Sequence, residues 1–169
     1  MSELSDPYIA FNTLYDENVD KIYRFIYLKV NCEDTAKDLT SETFAKIWEH
    51  LNNGQKIKNS RAFAFQVARN LIIDHYRQKD RSPISLSNCP EMSDPTSDIE
   101  RRFQLSSDID KIKTALANLE NDQREAIVLR YVEDMPISEI AQILGKKQGT
   151  VRVILHRGLK VLRESLTKS

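Results

Sequence analysis

The sequence has little of what marks several protein classes. Its 169 residues include four glycines, five prolines, two cysteines and one tryptophan. So few glycines and prolines exclude collagen-like and low-complexity chains, and 40% hydrophobic content suits one domain or two small ones. No apolar run approaches the roughly 20 residues needed to cross a bilayer. The opening Met1-Ser-Glu-Leu-Ser-Asp-Pro7 carries acids where a signal peptide has a basic and then an apolar stretch, so a cytoplasmic protein without membrane insertion is expected. Cys32 and Cys89 lie far apart with no second Cys or paired His beside them, and read as two incidental thiols. The histidines His50, His75 and His156 have no metal-ligand or triad spacing around them, and there is no Gly-rich phosphate loop. Neither an enzyme nor a bound cofactor is expected.

Net charge is also missing: 25 Lys and Arg balance 25 Asp and Glu. Taken alone, neutrality argues against nucleic acid, because phosphate binding needs cations that displace condensed counterions. The sum conceals an alternation. Residues 1–50 hold 5 bases and 10 acids, residues 51–81 hold 7 and 2, and residues 82–110 hold 2 and 6. Residues 111–142 hold 4 and 6, and residues 143–169 hold 7 and 1. Charges separated by more than a Debye length of roughly 8 to 10 Å are screened from one another, so local sign outweighs the total. Two basic blocks therefore stand in a chain whose remainder is acidic.

The segment from Ser82 to Ser97 holds three of the five prolines among many Ser, Asn and Asp residues, and reads as a linker. On both sides apolar residues recur at three and four, without the alternation of strands. The expectation is an all-α protein of two small helical domains, residues 8–81 and 108–167, joined by a flexible acidic linker over residues 82–107. In the first, Phe11, Leu14, Val19, Ile22, Phe25, Ile26 and Val30 mark an amphipathic stretch. A second helix begins at a cap supplied by Asp34 or Thr35, turns Leu39, Phe44, Ile47, Trp48 and Leu51 inward, and stops at Asn52-Asn-Gly54. A third runs from about Arg61 to Lys79 and buries Ala64, Val67, Ala68, Leu71 and Ile72.

The second domain carries the more specific pattern. Ile137-Ser-Glu-Ile-Ala-Gln-Ile-Leu-Gly-Lys-Lys-Gln-Gly-Thr-Val-Arg-Val-Ile154 has helix-turn-helix spacing. Ala141 is small where two helices cross, Gly145 supplies the turn, and Ile140, Leu144, Val151 and Ile154 join the pair. At roughly 100° per residue, Val151, Leu155, Leu159, Leu162 and Leu166 form one stripe, while Arg152, His156, Arg157, Lys160 and Arg163 lie about 100° to 240° away from Val151. That gives the second helix a basic face suited to the major groove and its flanking phosphates.

These residues, with Asp38-Leu-Thr-Ser-Glu-Thr-Phe-Ala-Lys-Ile-Trp48, Val67-Ala-Arg-Asn-Leu-Ile-Ile-Asp74, Arg77, Gln123-Arg-Glu125 and Arg130-Tyr131, resemble the extracytoplasmic-function (ECF) group of bacterial sigma-70 factors. The resemblance runs over about residues 10–165, in order. It implies a promoter-specificity subunit that binds core RNA polymerase through the β′ clamp and the β subunit and directs transcription initiation on promoter DNA. Asp38, Ser41, Glu42 and Lys46 would meet the clamp, with Phe44 and Trp48 in the core. Lys56, Lys58, Asn59, Arg61, Phe63, Arg69 and Arg77 would read and melt the −10 element, where opening costs a few kcal/mol per unstacked base. Lys146, Lys147, Thr150, Arg152, Val153, His156 and Arg157 would hold the −35 element. An anti-sigma factor or another recruiting partner belongs to the same expectation.

The chain departs from the family pattern in places. Ser41 stands where Gln is usual, Phe63-Ala64 where Trp-Leu is usual, and Lys146 where an apolar residue is usual. Val153-Ile154 replaces the common Ser-Arg. Ile154 fits the helix-pair seam, but Val153 points away from the core, where it would either meet a thymine methyl or mark a weakened −35 reading with a protein partner over the helix; altered or reduced −35 specificity, with a DNA-targeting partner supplying position, is the expectation. The competing reading is a stand-alone helix-turn-helix regulator that acts without polymerase. It leaves the first domain unexplained.

Overall fold

The computed structural model describes residues 6–81 and 114–167. The expected linker over residues 82–107 lies outside the described residues. The chain divides into two compact units, one on each side of Pro90. All regular structure among the described residues is helical.

The first unit is a three-helix bundle of α1 (Pro7–Val30), α2 (Glu33–Asn52) and α3 (Ser60–Arg81). Asp6 caps α1 by accepting a hydrogen bond from the Tyr8 amide at 3.0 Å, with Pro7 preset for the first turn. Asn31 ends the helix in the left-handed region at φ 51°. The chain extends for one residue at Cys32 and re-enters helix at Glu33, earlier than the caps expected at Asp34 or Thr35. Cys32 makes no side-chain capping bond. Instead Glu33 and Asp34 occupy the first turn, where carboxylates oppose the positive end of the helix dipole. The cysteine is also not an incidental thiol. Cys32 is disulfide-bonded, and the sequence has one other cysteine, Cys89, outside the described residues.

Gly54 closes α2 at φ 78°, its amide donating to the Leu51 carbonyl at 3.1 Å. Three helices of this length bury one aliphatic and aromatic core. Ile22, Ile26, Ile47 and Phe65 are fully enclosed, and the Phe25 and Phe65 rings meet edge to face at 5.3 Å. Small residues Ala62, Ala64 and Ala68 let α3 sit close to its neighbours. Three buried polar side chains are locally satisfied: Asn18, Thr40 and Thr43 each donate to a carbonyl one turn back. The Tyr76 hydroxyl donates to the Lys29 carbonyl at 2.9 Å and ties the far part of α3 to the end of α1.

The described part of the second unit holds a helical turn at residues 114–117, followed by α4 (Asn121–Ile127), a π-helical turn (Val128–Val132), α5 (Ile137–Leu144) and α6 (Gln148–Thr167). Glu120 and Gln123 form a reciprocal capping box. Arg124 donates to the carbonyls of Leu116, Ala117 and Leu119 and so fastens α4 to the preceding turn. Arg130 donates to the Met135 carbonyl at 2.9 Å and holds the connection into α5.

The stripe on α6 is buried at Val151 and Leu155, but the burial fades toward the C-terminus and Leu166 is half exposed. Among the described residues α6 is the long element: its twenty residues span about 30 Å, whereas α4 and α5 have seven and eight.

Candidate functional surfaces

On α2, Asp38, Ser41, Glu42 and Lys46 are all exposed, and their spacing of three and four places them on one face. Beside them α1 and α2 form an open groove of about 400 Å³ lined by Phe11, Tyr15, Thr40, Ser41, Phe44, Ala45 and Trp48. Its wall is aromatic. Tyr15 and Phe44 approach edge on at 4.8 Å, and Phe11 and Trp48 at 5.5 Å. Phe44 is buried as expected, but Trp48 is only half buried and belongs to the groove wall as much as to the core. The partners Phe11 and Tyr15 were not legible as groove residues, because a helical repeat does not say which neighbouring helix leaves a gap.

The first basic block folds into the α2–α3 loop and α3. Lys56 and Lys58 are exposed on the loop and Arg77 is exposed near the end of α3. The others are engaged within the fold. The Asn59 side-chain oxygen accepts the Ala62 amide at 3.1 Å, which makes it the N-cap of α3. Arg61 and Arg69 are half buried and hold interactions inside the chain. Phe63 is half buried, its ring centroid 4.6 Å from that of His50 at the end of α2. These seven residues thus do not form one exposed basic strip.

The second basic block is built differently. Gly145 ends α5 in the left-handed region at φ 64°, and the Lys146 amide reaches back to the Ala141 carbonyl at 2.9 Å. Two residues later α6 begins, completing a helix-turn-helix. Lys147, Thr150, Arg152, Val153, His156 and Arg157 are all exposed. Lys146 differs: it is half buried and its Nζ lies 3.4 Å from the Asp122 carboxylate on α4, so this cation steadies the turn. Its substitution for the usual apolar residue therefore gains a local partner.

Gly158 is a structural contributor missed by the residue-by-residue reading. It is buried, and a Cβ there would lie 2.6 Å from Ile127 Cδ1 and 3.3 Å from Gln123 Cβ. Its absence of a side chain lets α6 approach α4. A glycine inside an otherwise periodic helix was the available signal. Gln123, Arg124 and Arg130, which carried part of the resemblance, also prove to be framework residues.

A helix-turn-helix with an exposed basic second helix defines a DNA-binding class. The comparisons with known proteins are more specific. Residues 14–82 match the family described as Sigma-70 region 2, and residues 109–162 match Sigma-70, region 4. The chain is 31% identical over 160 residues to the ECF RNA polymerase sigma factor SigL of Mycobacterium tuberculosis, covering 90% of this chain and 86% of SigL. It is 28% identical over 159 residues to the ECF RNA polymerase sigma factor BldN of Streptomyces coelicolor, covering 93% of this chain but 60% of BldN. The sigma factor RpoE of Bartonella quintana, solved with the anti-sigma factor NepR, has the same fold at a TM-score of 0.73 and 23% identity, over 94% of this chain and 97% of RpoE. The chain belongs to the ECF group of the sigma-70 family.

Proposed function

We propose that this protein binds core RNA polymerase and directs promoter recognition and transcription initiation in the bacterial cytoplasm, without catalysing a reaction itself. The observation that carries the proposal is the pairing of two unlike surfaces in one chain. The second unit has an exposed basic helix-turn-helix, and the first has an exposed, largely acidic face on α2 beside an aromatic groove. A DNA-binding module alone needs only the former.

In this reading residues 8–81 bind the polymerase clamp through Asp38, Ser41, Glu42 and Lys46 and open the −10 element. Residues 82–107 connect the domains, and residues 108–167 hold the −35 element. The groove beside Ser41 offers apolar area next to the charged contacts, the mixture from which specific protein interfaces are built. Exposed Lys56, Lys58 and Arg77 supply phosphate contacts during melting, while Asn59, Arg61, Phe63 and Arg69 shape the region that receives the strand. An anti-sigma partner is proposed by analogy with RpoE, whose structure contains NepR. The replacement of the family's usual Ser-Arg by Val153-Ile154 alters −35 reading, and an additional DNA-targeting partner would compensate for what is lost.

Purified chain added to bacterial core polymerase is expected to start run-off transcripts at defined sites. Failure to bind core, with DNA binding retained, would sink the proposal and leave the stand-alone regulator. Reversing Asp38 and Glu42 to Lys should weaken core binding about tenfold or more while the circular dichroism melt stays unchanged, since both side chains are exposed.

A further inference from the structure

Val153 lies outside the buried core of the second unit. It stands in the second turn of α6 and is 47% exposed, and the packing of α4, α5 and α6 uses Val151 and Leu155 instead. On a helix its nearest surface neighbours are three and four residues away: Gly149, Thr150, His156 and Arg157, all exposed. None is a large apolar residue, so Val153 does not belong to an apolar strip along α6 that a partner helix could cover. It is a single aliphatic group set among hydrogen-bonding and cationic ones.

Its surroundings also favour close approach. Nothing lies within 4 Å of the position a Cβ would take at Gly149, one turn earlier. The helix surface is therefore low at Gly149 and rises only modestly at Val153. A valine is short, and it reaches a base edge only where the backbone comes near the groove floor. Arg152, His156 and Arg157 surround it with longer side chains that can reach phosphates or base acceptors.

We infer that Val153 reads the 5-methyl group of a thymine in the −35 element. The inference rests on the proposed seating of α6 in the major groove and specifies what one side chain does there. Valine can neither donate nor accept a hydrogen bond. Set against guanine, adenine or cytosine it leaves major-groove donors or acceptors desolvated and unpaired, whereas the thymine methyl is the apolar feature among the base edges. The side chain thus favours thymine both by contact and by rejection of the alternatives.

The test uses the full chain with core polymerase on promoter fragments obtained by selection with that holoenzyme. Each thymine of the −35 region, on either strand, is replaced in turn by deoxyuridine, which removes only the methyl group. One replacement is expected to weaken binding about threefold to fivefold, the effect of one buried methyl-sized group. Val153→Ala should bind thymine and deoxyuridine alike at that position, and Val153→Ile should keep the discrimination. Because the site is exposed, both variants should fold, which an unchanged melting curve would verify. Intact −35 protection with indifference to every deoxyuridine would overturn the assignment to Val153 and leave the −35 reading standing. The same assignment would fall if Val153→Ala discriminated as the wild type does. Absence of −35 protection, with no response to Arg152→Ala or Arg157→Ala, would overturn the −35 reading and this inference with it.

Discussion

The two basic surfaces are assembled in opposite ways. On α6, Arg152, Val153, His156 and Arg157 are exposed along a helix whose other side holds the fold together. Around the start of α3, Asn59 is a helix cap, Arg61 and Arg69 interact within the chain, and Phe63 leans on His50. The first arrangement separates reading from stability. The second mixes them, so the residues that would handle an opened strand also define the shape of the loop. That difference accords with the tasks proposed for them. Seating a rigid helix in a duplex groove needs projecting side chains, whereas holding unpaired bases needs a preformed receptacle whose walls are themselves held in place.

The largest effect expected from breaking this separation is on α6. Arg152→Ala combined with Arg157→Ala should lower holoenzyme affinity for −35-containing promoters by about thirtyfold or more, at about 1–3 kcal/mol for each lost base contact. Thermal stability should not change, and a filter-binding series beside a melting curve checks both. A comparable loss of stability would show that α6 does not keep its two sides apart.

Gly158→Val attacks the other side of the same helix. Overpacking against Ile127 and Gln123 should destabilise the second unit by about 1–3 kcal/mol, read by chemical denaturation. Gly158→Ala should cost less, because Ile127 Cδ1 is the end of a side chain that can rotate. Equal losses for Ala and Val would mean that the backbones cannot relax at all.

A smaller effect separates cap from reader at Asn59. Asn59→Ala should cost about 1 kcal/mol of stability, while Asn59→Ser should restore most of it, since a serine hydroxyl can accept the same amide. If promoter opening, followed by permanganate reactivity, recovers with serine, the residue acts through the cap. If stability recovers and opening does not, Asn59 also contacts DNA.

The smallest effect lies at Tyr23. Among the described residues its hydroxyl is buried without a hydrogen-bond partner, and burial pushes its pKa up to about 12, with the carboxylates of Glu33 and Asp34 and the neighbouring Tyr27 adding to the rise. The raised value favours the neutral phenol in the folded state. Its contribution to stability is therefore fully present below the ordinary value near 10 and is lost as pH rises toward about 12. Tyr23→Phe should abolish that dependence in alkaline titrations of stability. It should also stabilise the protein at neutral pH by roughly 0.5 kcal/mol, because an unpaired polar atom leaves the interior.

Much of this could be read in advance where local chemistry decides the structure. The three- and four-residue recurrence of apolar side chains announced helices, Gly145 announced the turn, and the position of Val153 opposite Val151 announced its exposure. Elsewhere local rules competed with longer-range ones. Asp34 and Thr35 are better caps than cysteine, but after the left-handed Asn31 the chain re-enters helix two or three residues sooner, with Cys32 at the cap position. Phe65 escaped notice beside Phe63, though one is fully enclosed and the other half exposed, because two residues on a helix differ by about 200° and only the neighbouring helices say which direction is inward.

The sequence by itself determined the helical class, the division into two parts, the alternation of charge hidden inside neutrality, and the register of the reading face on α6. Each follows from periodicity or composition, properties carried by every segment alone. Tertiary structure decided which cations project and which are engaged, with Lys146 turned to Asp122 and Arg124 holding the preceding turn. It also decided that α1 and α2 leave a groove at Trp48 and that Gly158 permits α6 to meet α4. These outcomes depend on distances between segments remote along the chain, and no local pattern contains such distances.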